Sequence, residues 1–162
     1  MSAPRFDLEA LFRALDALRE EQGLSWSELA AASGVAASTL KGTRARRSME
    51  ADGVLAMVRM VGKAPEDFAA GVAVTGKPPK EGRLNTQALY AALEAERRDR
   101  GLSWTEVAKE IGPWSASTLR RLANGGRVSA DLMLACTWWL GTQVSDFVDP
   151  VFEHPGERGG NS

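Results

Sequence analysis

An internal repeat constrains the fold of this chain more than any other feature of its sequence. A shift of 78 residues aligns the Gly-Leu-Ser-Trp segment that begins at Gly23 with the one that begins at Gly101. One extra residue near Pro113 changes the shift to 79, after which the Ser-Thr-Leu of residues 38–40 aligns with that of residues 117–119. Because self-similarity in this order indicates a duplicated structural unit, the sequence predicts two homologous domains in tandem.

Each copy has the pattern of a small helical domain. In the first copy, apolar residues at helical spacing predict a first helix, which Gly23 ends. Ser25 is suited to cap the next helix, with Glu28 three residues on completing a capping box. Gly34 lies in the following turn, where the absence of Cβ permits a positive φ. The predicted helices span residues 6–21, 26–32, 37–44, 50–61 and 65–68, the last with Pro65 in its first turn, and the second copy follows the same plan.

Both copies contain the pattern Leu-Ser-x-x-Glu-Leu/Val-Ala, followed by a glycine and then by Ser-Thr-Leu. This pattern resembles that of the lambda-repressor-like (XRE/Cro) family of DNA-binding domains, and the resemblance covers most of the chain. It implies a helix-turn-helix fold in which the third helix of each copy enters the major groove while the preceding helix crosses the backbone. The predicted fold is therefore all-α, with two tandem five-helix lambda-repressor-like domains.

The segments between and after the two copies differ from them in composition. Two consecutive prolines, Pro78 and Pro79, resist helix formation and favour an extended, semi-rigid spacer. The C-terminal residues are rich in glycine and charge, which is typical of a flexible tail. The predicted organisation is a first domain at residues 5–72, a Pro/Gly linker at 73–83, a second domain at 84–150 and a flexible tail at 151–162.

The charge of the chain is informative through its distribution. The formal net charge of −1 argues mildly against a nucleic-acid-binding protein, since such domains are often basic. However, residues 38–48 contain four basic side chains and no acidic one, and residues 115–130 contain three and none. A polarised molecule of this kind can offer a positive face to DNA despite a near-neutral total.

The resemblance implies that outward residues of the third helix contact base edges and that the loop after it contacts phosphates. Serine can bond a base edge or a phosphate, alanine can contact a thymine methyl group, and arginine can bind guanine through two hydrogen bonds. The alternative is a solvated, charged helix face on a domain that kept its fold and changed its role. The candidate helix positions are Ala36, Ala37, Ser38, Lys41 and Arg44 in the first copy and Ser115, Ala116, Ser117, Arg120 and Arg121 in the second, and the candidate loop positions are Arg46, Arg47 and Arg127.

Trp26 and Trp104 begin the second helix of each copy, where the resembling family carries a glutamine that bonds a phosphate. This is a departure from the family pattern. An indole N–H can donate to a phosphate, and a helix N-terminus favours an anion, so both tryptophans are candidate DNA contacts. The alternative is that each tryptophan packs its helix against a neighbour.

A second pair of tryptophans, Trp138 and Trp139, lies near the end of the fourth helix of the second copy. Trp138 falls on a position that is polar and outward in the family pattern. A large aromatic side chain at such a position is usually covered, which favours an interface between the copies or with a second chain. Packing in the core of an enlarged second copy is the alternative. Cys136, on the core face of the same helix, is interpreted as an inert small hydrophobe.

Several functional classes find little support. The single cysteine excludes an internal disulfide framework and a multi-cysteine zinc site, and the single histidine, His154, lies in the predicted tail. There is no Gly-rich phosphate loop and no cluster of carboxylates from which to build an active site, so neither an enzyme nor a cofactor or metal is predicted. No apolar run approaches the roughly 18 residues of a membrane span, and no signal-peptide core is seen, so a cytoplasmic protein without a membrane partner is expected.

Two functional hypotheses remain. The first is a sequence-specific transcriptional regulator that binds double-stranded DNA, with the two copies acting as a covalent pseudo-dimer. The second is a protein-interaction module, of the antiactivator or antitoxin kind, that keeps the fold without reading DNA. The missing glutamine in both second helices favours the second hypothesis slightly, and the surface around Trp138 and Trp139 is its candidate site for a protein partner or for self-association.

Overall fold

The computed structural model describes residues 3–69 and 75–149, which fold into eight α-helices, short 3₁₀ turns and one two-stranded sheet. The predicted tail at 151–162 and the predicted boundary at 72/73 lie outside these residues. None of the helices described is long and apolar enough to cross a membrane. The helices are α1 (Leu8–Gln22), α2 (Trp26–Ser33), α3 (Ala37–Lys41), α4 (Ala51–Met60), α5 (Thr86–Arg100), α6 (Trp104–Ile111), α7 (Ala116–Arg120) and α8 (Ala130–Leu140).

The remaining regular elements are short. The 3₁₀ turns are Thr43–Ala45, Pro65–Phe68, Arg121–Asn124 and Val144–Phe147. Strands β1 (Arg83–Leu84) and β2 (Val148–Asp149) pair in antiparallel fashion, with Leu84 opposite Val148. The chain is therefore mostly helical, in agreement with the all-α prediction. Residues 3–69 are called the N-terminal half below, and residues 75–149 the C-terminal half.

Local capping interactions determine where the first two helices begin and end. The Asp7 carboxylate accepts a hydrogen bond from the Ala10 N–H, so α1 begins at Leu8 and the prediction that it begins at residue 6 is wrong. The predicted capping box of α2 is confirmed, because the Glu28 N–H donates to Ser25 Oγ and the Ser25 N–H donates to Glu28 Oε1. Gly34 ends α2 at φ 75°, as expected for a residue without Cβ.

The third helix is shorter than predicted. α3 ends at Lys41, and a 3₁₀ turn follows where the sequence predicts that the α-helix continues to residue 44. Gly42 is a poor helix former, and Thr43 is fully buried with its hydroxyl donating to the Thr39 carbonyl oxygen at 2.9 Å. The tightened turn therefore places Thr43 in the core. α7 likewise ends at Arg120 before a 3₁₀ turn.

A single cluster of buried apolar residues runs through both halves. α8 lies at its centre, since every residue from 130 to 137 is buried. This helix packs against α5 and α6 of the C-terminal half and against α4 of the N-terminal half. The core is completed by side chains that are fully buried, among them Leu11, Leu15, Leu40, Leu55, Leu89, Leu93, Leu119 and Met133.

Where α4 and α8 begin, the two halves exchange backbone hydrogen bonds. The Ala51 N–H donates to the Val128 carbonyl oxygen at 2.7 Å, and the Ala130 N–H donates to the Met49 carbonyl oxygen at 2.7 Å. A shift of 79 residues converts each bond into the other, so these contacts are reciprocal. α4 consequently begins at Ala51, and not at residue 50 as predicted, because Glu50 is extended and forms a β-bridge.

A second reciprocal pair surrounds the first. The Phe6 N–H donates to Asp131 Oδ1 at 2.8 Å, and the Leu84 N–H donates to Asp52 Oδ1 at 2.9 Å. Residues 3–6, here called the N-terminal arm, thus reach across to α8. Reciprocal contacts between equivalent residues are the defining property of an isologous interface. The four hydrogen bonds together are called the junction below.

The described part of the predicted linker is packed against both halves. Pro79 is buried, the Lys77 N–H donates to Gln143 Oε1 at 2.9 Å, and the Arg59 guanidinium donates to the Lys80 carbonyl oxygen at 3.3 Å. Arg83, assigned to the linker from the sequence, belongs to β1. Residues 75–82 contain no helix or strand, and their contacts tie the segment to the folded halves.

Candidate nucleic-acid interface

α3 and α7 each present a polar, basic face outside the core. Leu40 and Leu119 are fully buried and anchor the two helices, which pack against α2 and α6 respectively. The outward side chains are therefore set by helical spacing, since residues one or two positions from the anchor point away from it. The exposed candidates on these helices are Ser38, Lys41, Ser117 and Arg120, while Ala37 and Ala116 are half-buried.

The N-termini of α3 and α7 differ in how they are capped. Ser115 Oγ accepts the Thr118 N–H at 3.2 Å and lies 3.0 Å from Ser117 Oγ, so this hydroxyl caps α7. Its counterpart in the N-terminal half is Ala36, which provides no side-chain cap to α3. Of the two serines predicted to contact DNA in the C-terminal half, Ser117 thus has its hydroxyl at the surface and Ser115 is engaged in capping.

The arginines that follow α3 are exposed but differ in what holds them. The Arg44 guanidinium lies 4.8 Å from the centre of the Phe12 ring of α1. A cation–π contact of this kind restricts the long side chain and keeps its charge near one position. Arg46 and Arg47 are exposed in the extended segment before the junction. Arg121, after α7, is also exposed.

Basic loop residues of the two halves meet at the junction. A cleft of about 290 Å³ is lined by Arg46 from the N-terminal half and by Arg127 from the C-terminal half. Arg127 Nε lies 3.0 Å from Glu50 Oε2, and the arginine side chain is 92% exposed. Such an exposed ion pair contributes little to stability and leaves most of the guanidinium accessible. The fold therefore brings together two of the three loop residues predicted to contact phosphates.

Trp26 and Trp104 have the same surroundings in the two halves. The Trp26 ring stacks on Phe12 at 5.5 Å between centroids, and the Arg19 guanidinium covers it at 5.0 Å. The Trp104 ring stacks in the same way on Tyr90 at 5.4 Å, with the Arg97 guanidinium at 5.3 Å. Both tryptophans remain half-buried. Each one packs the N-terminus of its helix against the preceding helix and still presents an edge to solvent.

An acidic side chain stands close to each of these tryptophans. The Ser25 N–H and hydroxyl keep the pKa of Glu28 below its usual value, and the Ser103 N–H and hydroxyl have the same effect on the pKa of Glu106. Both carboxylates are exposed and ionised at neutral pH. They place negative charge in the first turn of α2 and α6, where the helix N-terminus favours anions.

The second pair of tryptophans lies within the C-terminal half. Trp139 is 8% exposed, its indole N–H donates to Glu110 Oε1 at 2.9 Å, and the Arg100 guanidinium lies 4.5 Å from its ring centroid. Trp138 is half-buried and packs against the core cluster. Cys136 is fully buried, and burial raises the pKa of its thiol to about 12, so it remains protonated.

Comparison with known proteins identifies one part of the chain. A helix-turn-helix family model of the XRE type matches residues 93–136, which include the second half of α5, all of α6 and α7, and most of α8. The matched family is one of DNA-binding regulators, which suggests a DNA-binding regulator. No curated protein and no solved structure gives a significant match.

Sequence reasoning missed the residues that support the candidate interface. The ring beneath each tryptophan is aromatic in both halves, as Phe12 and Tyr90 are 78 residues apart. Asp52 and Asp131, which anchor the junction, are identical in the aligned copies. An acidic residue retained in both copies on an otherwise apolar helix could have indicated a shared hydrogen-bonding role.

Proposed function

We propose that this protein is a sequence-specific DNA-binding transcriptional regulator built from two tandem lambda-repressor-like domains, at residues 5–72 and 84–150. The two domains act as a covalent pseudo-dimer. α3 and α7 are the recognition helices, and the basic residues that follow each of them contact phosphates. Because the two helices carry different side chains, the two half-sites of the operator differ in sequence.

The observation that carries this proposal is the geometry of the junction. Its reciprocal hydrogen bonds lie at Met49 and Val128, directly after the basic loops that follow α3 and α7. The loops therefore approach each other, and Arg46 and Arg127 line a common cleft. In a symmetric dimer that binds DNA, the two recognition helices are related by the two-fold axis and lie on the same face of the dimer. The junction supports the same arrangement within a single chain.

The matched family and the repeated local structure add further support. The helix-turn-helix match falls on the C-terminal half, and the capping box of α6 in that half recurs in α2. The rings of Trp26 and Trp104 are half-exposed at the starts of these helices. Their indole N–H groups and Arg44, held over Phe12, are suited to contact the DNA backbone.

One observation favours the protein-interaction module. Glu28 and Glu106 are ionised and exposed in the first turns of α2 and α6, where the proposed DNA complex has phosphates. A basic partner protein fits such a position better than a phosphate does. The two functions are distinguished by the dependence of binding on salt.

DNA binding is tested by selecting bound fragments from a genomic library and titrating them at several salt concentrations. Seven basic residues form the proposed contact faces, and five or six of them reach phosphates together. Each phosphate neutralised contributes about −0.9 to the slope of log K against log salt, so we expect a slope near −5. Between roughly 50 and 200 mM salt, the affinity should fall about a thousandfold.

A slope shallower than about −2, or no fragment bound at the lowest salt, contradicts the DNA-binding proposal. The matched control for the titration is a variant in which Lys63 and Lys77, two exposed lysines outside α3, α7 and their loops, are both changed to glutamine. This variant loses two positive charges, as a variant with two of the proposed contact residues neutralised does. It should keep the salt dependence of binding of the unmodified protein.

A further inference from the structure

A cleft of about 640 Å³ opens where the N-terminal arm crosses to the C-terminal half. Ala3 and Pro4 of the arm form one wall, and the end of α6 and the turn after it form the other. Its volume lies within the range of small-molecule sites, and such sites occur preferentially between domains. We call it the arm cleft. The proposed DNA contacts of α3 and α7 do not use it.

The floor of the arm cleft is apolar. Ile111 is fully buried, and Pro113 and Trp114 line the cleft beside it. Gly112 has φ 142°, a conformation that favours glycine, and a Cβ atom there would lie 3.6 Å from the Trp114 ring and 3.7 Å from the Ala3 Cβ atom. The indole ring of Trp114 thus lies against the turn and beside the arm, and it remains half-exposed.

One acidic residue of the arm cleft is already engaged. Asp131 is 7% exposed, and its Oδ1 accepts the Phe6 N–H at 2.8 Å. Its Oδ2 lies 3.6 Å from the Arg5 guanidinium, whose side chain is 74% exposed. The negative charge of Asp131 is therefore offset by groups of the arm, and most of the Arg5 guanidinium faces solvent.

The other acidic residue is contacted from outside the cleft. Glu110 Oε1 accepts the Trp139 indole N–H at 2.9 Å and lies 3.6 Å from the Arg100 guanidinium. Lys109, next to it, is exposed and forms no ion pair within residues 3–69 and 75–149. The arm cleft therefore combines an apolar floor with two exposed basic side chains, Arg5 and Lys109, while each of its two carboxylates already accepts a hydrogen bond.

The equivalent cleft on the other side of the junction lacks this combination. It measures about 470 Å³ and is lined mainly by charged residues, including Glu50, Asp52, Arg83 and Arg127. No aromatic residue lines it, and the turn after α2, which lacks the extra residue present near Pro113, is not part of its lining. The arm cleft thus differs from its counterpart by its aromatic lining, and the counterpart cleft serves as a control within the same molecule.

We propose that the arm cleft binds a small anionic molecule with a planar apolar body, of the class of aromatic carboxylates. Trp114 and Ile111 contact the body, and Lys109, with Arg5, binds the carboxylate. Such a ligand bridges the arm of one half and the helix-turn-helix turn of the other. This inference does not depend on DNA binding, and its test uses no DNA.

Naphthalene-2-carboxylate is a suitable probe, with 2-naphthamide as its uncharged match. Titration calorimetry of the full chain should give one site with a dissociation constant of about 1 mM or tighter, as expected for a ligand of this size. The amide should bind at least tenfold more weakly. Lys109→Gln should weaken carboxylate binding roughly fivefold, and Trp114→Ala should weaken binding of both compounds. Arg83→Gln, in the counterpart cleft, should leave the affinity unchanged.

Equal binding of the carboxylate and the amide overturns the assignment of an anionic ligand. Absence of saturable binding, or full affinity in Lys109→Gln, overturns the site itself. Because Lys109 is exposed, Lys109→Gln should leave the fold intact. It therefore still tests the site if Trp114→Ala perturbs the fold. Circular dichroism of each variant distinguishes a lost contact from a lost fold.

Discussion

At the scale of single residues, aromatic and arginine side chains of the preceding helix hold Trp26 and Trp104 in place. Trp26 and Trp104 stand where the resembling family has glutamine, and each is clamped between an aromatic ring and a guanidinium. Stacking of this kind is worth about 0.5–1.5 kcal/mol beyond the area buried. Each tryptophan therefore packs its helix against a neighbour, as the alternative interpretation has it. A phosphate contact through the exposed edge of each ring stays a prediction.

Glu66 leads to a prediction about stability. Its Oε2 accepts the N–H of Val144, in the C-terminal half, at 2.7 Å, and its Oε1 is buried without a hydrogen-bond partner among the described residues. Burial raises the pKa of this carboxyl above its usual value, and the neighbouring charges of Asp67 and Asp146 raise it further. The folded state therefore favours the protonated acid, and ionisation destabilises it.

The sign of the pH dependence follows from this shift. A carboxyl whose pKa is higher in the folded state contributes stability below its unfolded pKa and loses it as pH rises through the folded pKa. Glu66→Gln keeps the acceptor for Val144 and removes the charge, so it should stabilise the protein by about 1 kcal/mol at pH 7. The gain should vanish near pH 4. Urea unfolding at several pH values measures it, and destabilisation at every pH contradicts the account.

At the scale of elements, α3 and α7 carry the test of DNA recognition. Lys41→Glu with Arg44→Glu, or Arg120→Glu with Arg121→Glu, should abolish binding to a selected operator. All four side chains are exposed, so stability should change little, although loss of the Arg44–Phe12 contact costs about 0.5–1 kcal/mol.

Gel-shift titration and thermal unfolding of the same samples measure the two effects separately. Lys63→Glu with Lys77→Glu reverses the same number of charges outside these helices and should retain binding. Full operator affinity in both helix variants shows that α3 and α7 do not read DNA.

The elements show how far local sequence signals extend. The capping box of α2 and the positive φ of Gly34 follow from interactions within a few residues, and both were predictable. The start of α4 was not, because the Ala51 N–H bonds to Val128, a residue far away in the sequence. The end of α3 was also missed, since burial of Thr43 depends on the packing of α4 beneath it.

The candidate interface was predictable to a similar extent. The basic residues after α3 and α7 could be identified from charge distribution and from the family resemblance. Ser115 caps α7 through a local hydrogen bond from the Thr118 N–H. A serine at this position is compatible with capping, but the sequence alone does not exclude a DNA contact instead. The common cleft of Arg46 and Arg127 depends on the junction, whose bonded residues lie 32 to 125 positions apart in the sequence and have no local signal.

At the scale of the whole molecule, the junction should make the two halves unfold together. Asp131→Ala leaves the buried Phe6 N–H without its acceptor and should cost about 2 kcal/mol. The reciprocal variant Asp52→Ala, at a more exposed position, should cost about 1 kcal/mol. Both should lower one shared transition in thermal unfolding. Two separate transitions, of which only one responds to each variant, contradict coupling through the junction.

The arrangement of the halves also predicts the length of the operator. If α3 and α7 lie on one face, their half-sites should be about one helical turn apart, roughly 34 Å. Footprinting on selected DNA should then show two protected stretches of the major groove. A single protected stretch means that one half does not read DNA. The N-terminal half is then the expected spectator, because Ala36 and Ala37 at the start of α3 offer no polar group to a base.

Because the junction pairs two halves of one polypeptide, pairing does not depend on the concentration of the protein in a cell. An ordinary dimer forms by collision, so its active fraction falls when few copies are present. Here both partners belong to one polypeptide, and their effective concentration is set by the short connecting segment, at the millimolar level or above. Pairing is then a first-order step of folding. Occupancy of a target should rise in simple proportion to copy number, even at a handful of molecules per cell.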